Sequence, residues 1–155
     1  MRVKSSIIMA ACLGLACSSL AFCAPSSSSE QKIQRENQVK IAIDIQGQTI
    51  TATLKANSAA VNDFVAQLPL SLTLTDYAST EKIADLPKRL STQGEPAGTS
   101  AQTGDITYYA PWGNLAIFHK PFGHANGLIK LGHLDSGIEL MRKSGPVKVT
   151  IKRLP

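Results

Sequence analysis

From Val39 onward the chain alternates apolar and polar residues with a period of two, and this pattern limits the fold more than any other feature. Val39, Ile41, Ile43 and Ile45 alternate with Lys40, Ala42, Asp44 and Gln46, which describes a strand with one buried face. Gly47 turns the chain, and Gln48–Leu54 continues with Ile50, Ala52 and Leu54 on one side and three threonines on the other. The pair reads as a β-hairpin. Leu70, Leu72 and Leu74 alternate with Ser71, Thr73 and Thr75, and Val147, Val149 and Ile151 alternate with Lys148, Thr150 and Lys152. Further strands are expected at Ile106–Tyr109, Leu115–His119 and Leu128–His133.

Two short helices interrupt this series. Asn57-Ser58 offers a cap for a helix whose apolar face is Ala60, Val61, Phe64, Val65 and Leu68, with Pro69 as its stop. Ser136-Gly137-Ile138-Glu139 has the form of a capping box opening a second helix that ends before Gly145-Pro146. Residues 76–90 are mixed, with one helical turn expected near Ile83-Ala84-Asp85-Leu86, and residues 91–104 read as a Gly/Pro/Ser/Thr loop. Short strands joined by turns, without a βαβ repeat, predict a mainly β fold. Its expected form is a closed antiparallel barrel plugged by two short helices.

The cysteines decide what holds such a domain together. Cys12, Cys17 and Cys23 all precede the first strand, so disulfides and thiolate metal sites are excluded for everything after Cys23. The core must carry the fold. At 43% hydrophobic and 17% charged, the composition argues against disorder in the body of the chain. The net charge is +5, of which Arg2 and Lys4 supply two, leaving too little to argue for nucleic acid. Arg142, Lys143, Lys148, Lys152 and Arg153 read as a solvated helix end and strand face.

The first 24 residues read as an export signal. A basic start, Met1-Arg2-Val3-Lys4, precedes an unbroken apolar run from Ile7 to Ala16. That run is too short for a membrane span, which needs about 20 residues. Ser19-Leu20-Ala21 supplies the small residues of a cleavage site, with a second option two residues later. Leu13-Gly14-Leu15-Ala16-Cys17 resembles a bacterial lipobox, although Gly14 stands where a large aliphatic residue is usual. The preferred expectation is a periplasmic or secreted protein, and the alternative is a lipoprotein anchored to the membrane through acylated Cys17. Residues 25–38 are Ser-rich and polar, a linker to the domain at 39–155.

Three runs carry a family resemblance: TDYASTEKIADLPKRLST (75–92), GDITYYAPWGNLAIFHK (104–120) and GLIKLGHLDSGIELM (127–141). They resemble a bacterial family of cyclophilin-like proteins, and the resemblance implies an eight-stranded cyclophilin-like barrel but no assigned activity. True cyclophilins carry F-H-R followed by F-x-x-Q-G-G-D, with the arginine and glutamine binding the prolyl peptide. Here Phe118-His119-Lys120 is followed by Phe122-Gly123-His124-Ala125-Asn126, so the arginine and the Q-G-G-D are missing. Lysine lacks the planar fork of donors that arginine offers. The run is read as the end of a barrel strand.

No cofactor or metal is expected: His119, His124 and His133 match no ligand spacing. The most informative stretch is Tyr108-Tyr109-Ala110-Pro111-Trp112-Gly113-Asn114. It holds three of the seven aromatic residues that follow residue 38. Adjacent tyrosines in a strand face opposite sides, so one packs inward while the other is free for a groove. The expected site is therefore a groove for a small molecule or extended peptide lined by Tyr108 or Tyr109, Trp112 and Asn114. Tyr77, Glu81 and Lys82 are expected as its polar rim, with the two charges hydrated. The competing reading is a strand corner that plugs the barrel. Two function classes follow: a non-catalytic binding module, or an enzyme, such as a weak prolyl isomerase, working in the same groove.

Overall fold

The computed structural model describes residues 38–155. The expected export signal, Cys17 and the expected linker up to residue 37 lie outside the described residues. Ten strands and two helices follow in the order β1 (Val39–Ile45), β2 (Gln48–Leu54), α1 (Ala59–Val65), β3 (Leu70–Tyr77), β4 (Glu81–Asp85), β5 (Gly98–Ala101), β6 (Asp105–Tyr109), β7 (Asn114–Phe118), β8 (Phe122–Asn126), β9 (Leu128–Leu134), α2 (Ile138–Met141) and β10 (Val147–Arg153). Eight strands close an antiparallel barrel in the order β1-β10-β3-β4-β7-β6-β9-β2, while β5 and β8 pair separately. The expected closed barrel with two short helices is what the chain forms.

The period-two pattern does its work here. Ile41, Ile43, Ile50, Leu54, Leu74, Ile106, Leu115, Ile117, Leu131 and Ile151 alternate inward along their strands and fill one core. Closure pairs β1 with both β2 and β10, so the first strand has no free edge. Helix α1 adds Ala60, Val61 and Phe64 to that core, and the Ser58 hydroxyl accepts from the Val61 amide at 3.1 Å as its cap. A cis peptide bond joins Leu68 to Pro69.

Three local expectations are corrected. Ile83-Ala84-Asp85 lies in strand β4, not in a helical turn, because β3 and β7 pair with it on either side. The stretch at 91–104 contains β5, which pairs with β8. The second helix has no capping box. Its N-cap is Gly137, left-handed at φ 78° and without a side-chain cap bond, and a Cβ there would overlap Ile50.

The β5–β8 pair is what makes a second, smaller apolar cluster. It lies over outward-facing residues of the barrel, where Ala116, Phe118 and Leu128 are buried against Ala101, with Ile83, Tyr109 and Ala125 packed around them. This outer face positions the candidate site.

Candidate functional site

The site is assembled from cross-strand neighbours on the outside of the barrel. Tyr77 of β3 stands opposite Glu81 of β4, and Tyr109 of β6 stands opposite both Asn114 of β7 and Leu128 of β9. Residues opposed in an antiparallel pair share one face. Trp112, from the turn between β6 and β7, leans over this face, and Phe122 and Ala125 of β8 close the far side. They enclose a cavity of about 160 Å³.

Three rings form one wall. Trp112 meets Tyr77 edge-to-face at 5.3 Å and 89°, and Tyr109 at 5.4 Å and 80°. Trp112 remains 53% exposed, which excludes a role as a barrel plug. Its turn is tied down from outside: the Arg89 guanidinium donates to the carbonyl oxygens of Ala110 at 2.7 Å and Pro111 at 3.4 Å. Phe118 stacks obliquely on Phe122 at 5.5 Å, joining the cavity to the small cluster beneath it.

The polar groups of the cavity lack partners. Glu81 Oε2 and Asn114 Oδ1 are buried without a hydrogen-bond partner, as is the Thr80 hydroxyl next to Glu81; Asn114 is only 2% exposed. Glu81 is not the hydrated rim charge expected: burial pushes its carboxyl up to about 7, with the neighbouring Thr80 hydroxyl offsetting only part of the rise. The cavity thus has an aromatic wall, an apolar floor and two buried acceptors in its lining.

Five of the seven expected residues meet here: Tyr77, Glu81, Tyr109, Trp112 and Asn114. Tyr108 and Lys82 do not, for one reason. Each occupies the inward register of its strand. Tyr108 is 1% exposed inside the barrel, where its hydroxyl oxygen accepts from the Leu90 amide at 3.2 Å. Lys82, expected as a hydrated rim charge, is 0% exposed. It pairs with Asp76 at 2.6 Å and donates to the Gly145 carbonyl at 2.6 Å, while Asp76 accepts from the Gly145 amide at 2.7 Å. Ala116, Phe122, Ala125 and Leu128 were not expected at the site, since only the covering of one strand pair by another brings them there, nor was Arg89, which braces the Trp112 turn.

The histidines do not converge, and among the described residues no group of three or more His, Cys, Asp or Glu is placed to hold a metal ion. His119 is buried with Nδ1 unpartnered, and burial and then Lys120 lower its pKa, with Asp76 acting in the opposite sense. His133 bonds Asp105 at 2.9 Å on the barrel's outer surface. Burial of Asp105 favours its neutral form, but Lys130, the Gln102 amide and His133 outweigh that and hold it below the usual carboxylate range.

Comparison with known proteins fits this architecture. The sequence model of the cyclophilin-like family matches residues 43–152, well over half of the chain. The chain belongs to the cyclophilin-like family. The cyclophilin-like barrel is also similar to the solution structure of a hypothetical protein from Archaeoglobus fulgidus. The TM-score is 0.55 at 15% identity, over 76% of this chain and 96% of that one, a likeness of fold. No curated protein matches the sequence. Within the cyclophilin-like barrel, Phe118-His119-Lys120 stands at the end of β7, with Phe118 buried and Lys120 exposed.

Proposed function

We propose that this cyclophilin-like barrel is an exported, non-catalytic binding module that takes a small molecule or a segment of an extended peptide in its aromatic cavity. One observation carries the reading: three aromatic rings and two unpartnered buried acceptors converge on a single partly open cavity. An acceptor buried without a donor costs about 1–3 kcal/mol, which a bound donor would recover. Trp112 is the only tryptophan, so its fluorescence reports on the cavity without interference. Titrating metabolites and proline-containing peptides against that signal tests the reading. Saturable changes absent from a Tyr77→Ala, Tyr109→Ala double variant support it, and a flat response across the panel sinks it.

A second reading, an enzyme in the same cavity, draws support from Glu81, which sits near neutrality where a general acid or base works best. The two readings part in a prolyl-peptide isomerisation assay. Positioned hydrogen bonding to the twisted amide is the main source of that catalysis, and Lys120 cannot reproduce the arginine fork. No substantial rate is expected; a robust rate that vanished in Lys120→Ala would overturn the non-catalytic reading. Export is tested separately, by the mass of the protein from its native host. Loss of the leader fits export, added lipid on Cys17 fits the anchored alternative, and an intact Met1–Pro155 mass in the cytoplasm would exclude both.

A further inference from the structure

We propose that the groove between α1 and the ends of β1 and β10 binds a medium-chain fatty acid, its alkyl chain along the helix and its carboxylate on Arg153. The groove shares no residue with the aromatic cavity, so the assignment stands independently of the binding reading above.

Helix α1 carries more apolar surface than the barrel covers. Its apolar face runs through Ala60, Val61, Phe64 and Val65 to Leu68 in the turn that follows. Ala60, Val61 and Phe64 are sealed in the core. Val65 and Leu68 continue the same face but stay only partly buried, as does Val39 at the start of β1. Together with Pro69 they line an open groove of about 640 Å³, well above the 160 Å³ of the aromatic cavity. Apolar surface left in water is where an alkyl chain gains most on binding.

One rim of the groove is cationic. Val149 and Ile151 hold the inward register of β10, and Arg153 takes the next place in it, opposite Ile41 of β1. An arginine thus stands where the alternation calls for an apolar residue, at the point where the core ends. Lys152 also lines the groove, but its ammonium is paired with Asp44 at 2.9 Å. Arg153 forms no ion pair among the described residues, and no acidic side chain among them lines the groove. One positive charge is left uncompensated at the edge of an apolar surface. That balance matches a monoanion, since the second charge of a phosphate monoester would meet no cation of its own. The guanidinium stays charged at any working pH, and its planar fork meets a carboxylate with two parallel hydrogen bonds.

Size limits the chain. The groove of about 640 Å³ admits roughly twenty water-sized units at about 30 Å³ each. A carboxylate of roughly eight to twelve carbons fits by the same measure, with one flank left in water.

The test uses the full chain, with calorimetry for affinity and backbone amide shifts for location. The probes are hexanoate, octanoate and decanoate, with 1-octanol and octylammonium as the neutral and cationic counterparts of octanoate. Saturable binding of octanoate, at least about tenfold tighter than of either counterpart, supports the assignment. Affinity should rise about two- to fourfold per methylene from hexanoate to decanoate. Shifts should gather at Val39, Val65 and Leu68 while Trp112 emission stays unchanged. Arg153→Gln, at an exposed position, should weaken binding about tenfold or more. Val65→Thr, similar in shape but carrying a hydroxyl, should reduce the gain per methylene, and both variants should keep a cooperative melt. Equal binding of 1-octanol or octylammonium, an unaffected Arg153→Gln variant, shifts centred on Trp112, or no saturable binding would overturn the assignment. Dimerisation that Val65→Thr reverses would overturn it as well, by giving the groove to a second copy of the chain.

Discussion

Tyr108 and Tyr109 are neighbours of identical chemistry placed in opposite environments, one locked in the core and one facing the cavity. Tyr108→Phe should therefore cost about 1–2 kcal/mol, because the buried Leu90 amide loses its acceptor. Tyr109→Phe should stay within about 0.5 kcal/mol of wild type. Urea unfolding of the two variants measures the contrast, and equal losses would contradict the inward and outward assignment. Glu81 makes a pH-dependent prediction of definite sign. Its folded carboxyl holds a proton up to about 7, whereas the unfolded group releases it near 4.5. Between those values the folded state binds more protons, so this group lowers stability as pH rises and the loss persists above 7. Glu81→Gln should accordingly melt above wild type at pH 8 and level with it at pH 4. Parallel melting profiles across that range would contradict the desolvated carboxyl.

At the scale of elements, the β5–β8 pair separates an ordinary barrel surface from a cavity. Gly98 permits the approach, since a Cβ there would overlap the Ala125 carbonyl oxygen. Gly98→Val should lift β8 from the outer face of β7 while the barrel ladders persist. Hydrogen exchange should then accelerate across Phe122–Asn126 but not along β1 and β10, and Trp112 emission should shift to the red. Unchanged exchange at β8 would show that the pair tolerates the side chain and is not the element that closes the cavity. Neither strand stood out in the sequence. Gly98–Ala101 is small and polar, and Phe122–Asn126 shows no alternation that would mark a buried face. Strand β4 was obscure because five residues with Lys82 on the inward side look unlike a core strand. The pairing with β3 and β7, and the Asp76 carboxylate, make that inward lysine tolerable.

Over the whole molecule, closure and a helical plug replace the crosslinks that the domain lacks. Phe64 of α1 is fully buried in the barrel core. Phe64→Ala should cost about 3–5 kcal/mol, as deletion of a core aromatic leaves a cavity that the barrel strands cannot collapse. Circular dichroism and Trp112 fluorescence should still report coincident transitions in denaturant, because the cavity wall is built on the same strands. A loss below about 1 kcal/mol would show that α1 packs on the barrel without plugging it.

Alternation along single strands was legible because side-chain direction in a strand is a local property with period two. It was sufficient for the hairpin at Val39–Leu54, for the strands at Leu70 and Val147, and for placing Tyr108 and Tyr109 on opposite faces. The capped helix at Ser58 was legible for the same reason, since cap and apolar face lie within one short segment. The site was legible only in part. Tyr77, Glu81, Tyr109, Trp112 and Asn114 drew notice as residue types, but nothing local says which outward face another sheet will cover. That was decided by long-range pairing, such as Glu81 with Phe118 and Tyr109 with Leu128, and by the β5–β8 pair lying over it. The same closure turned Lys82 inward and left Glu81 without an ion pair among the described residues. A residue's burial and its hydrogen-bond deficit depend on every strand that packs around it, and only the folded chain brings those strands together.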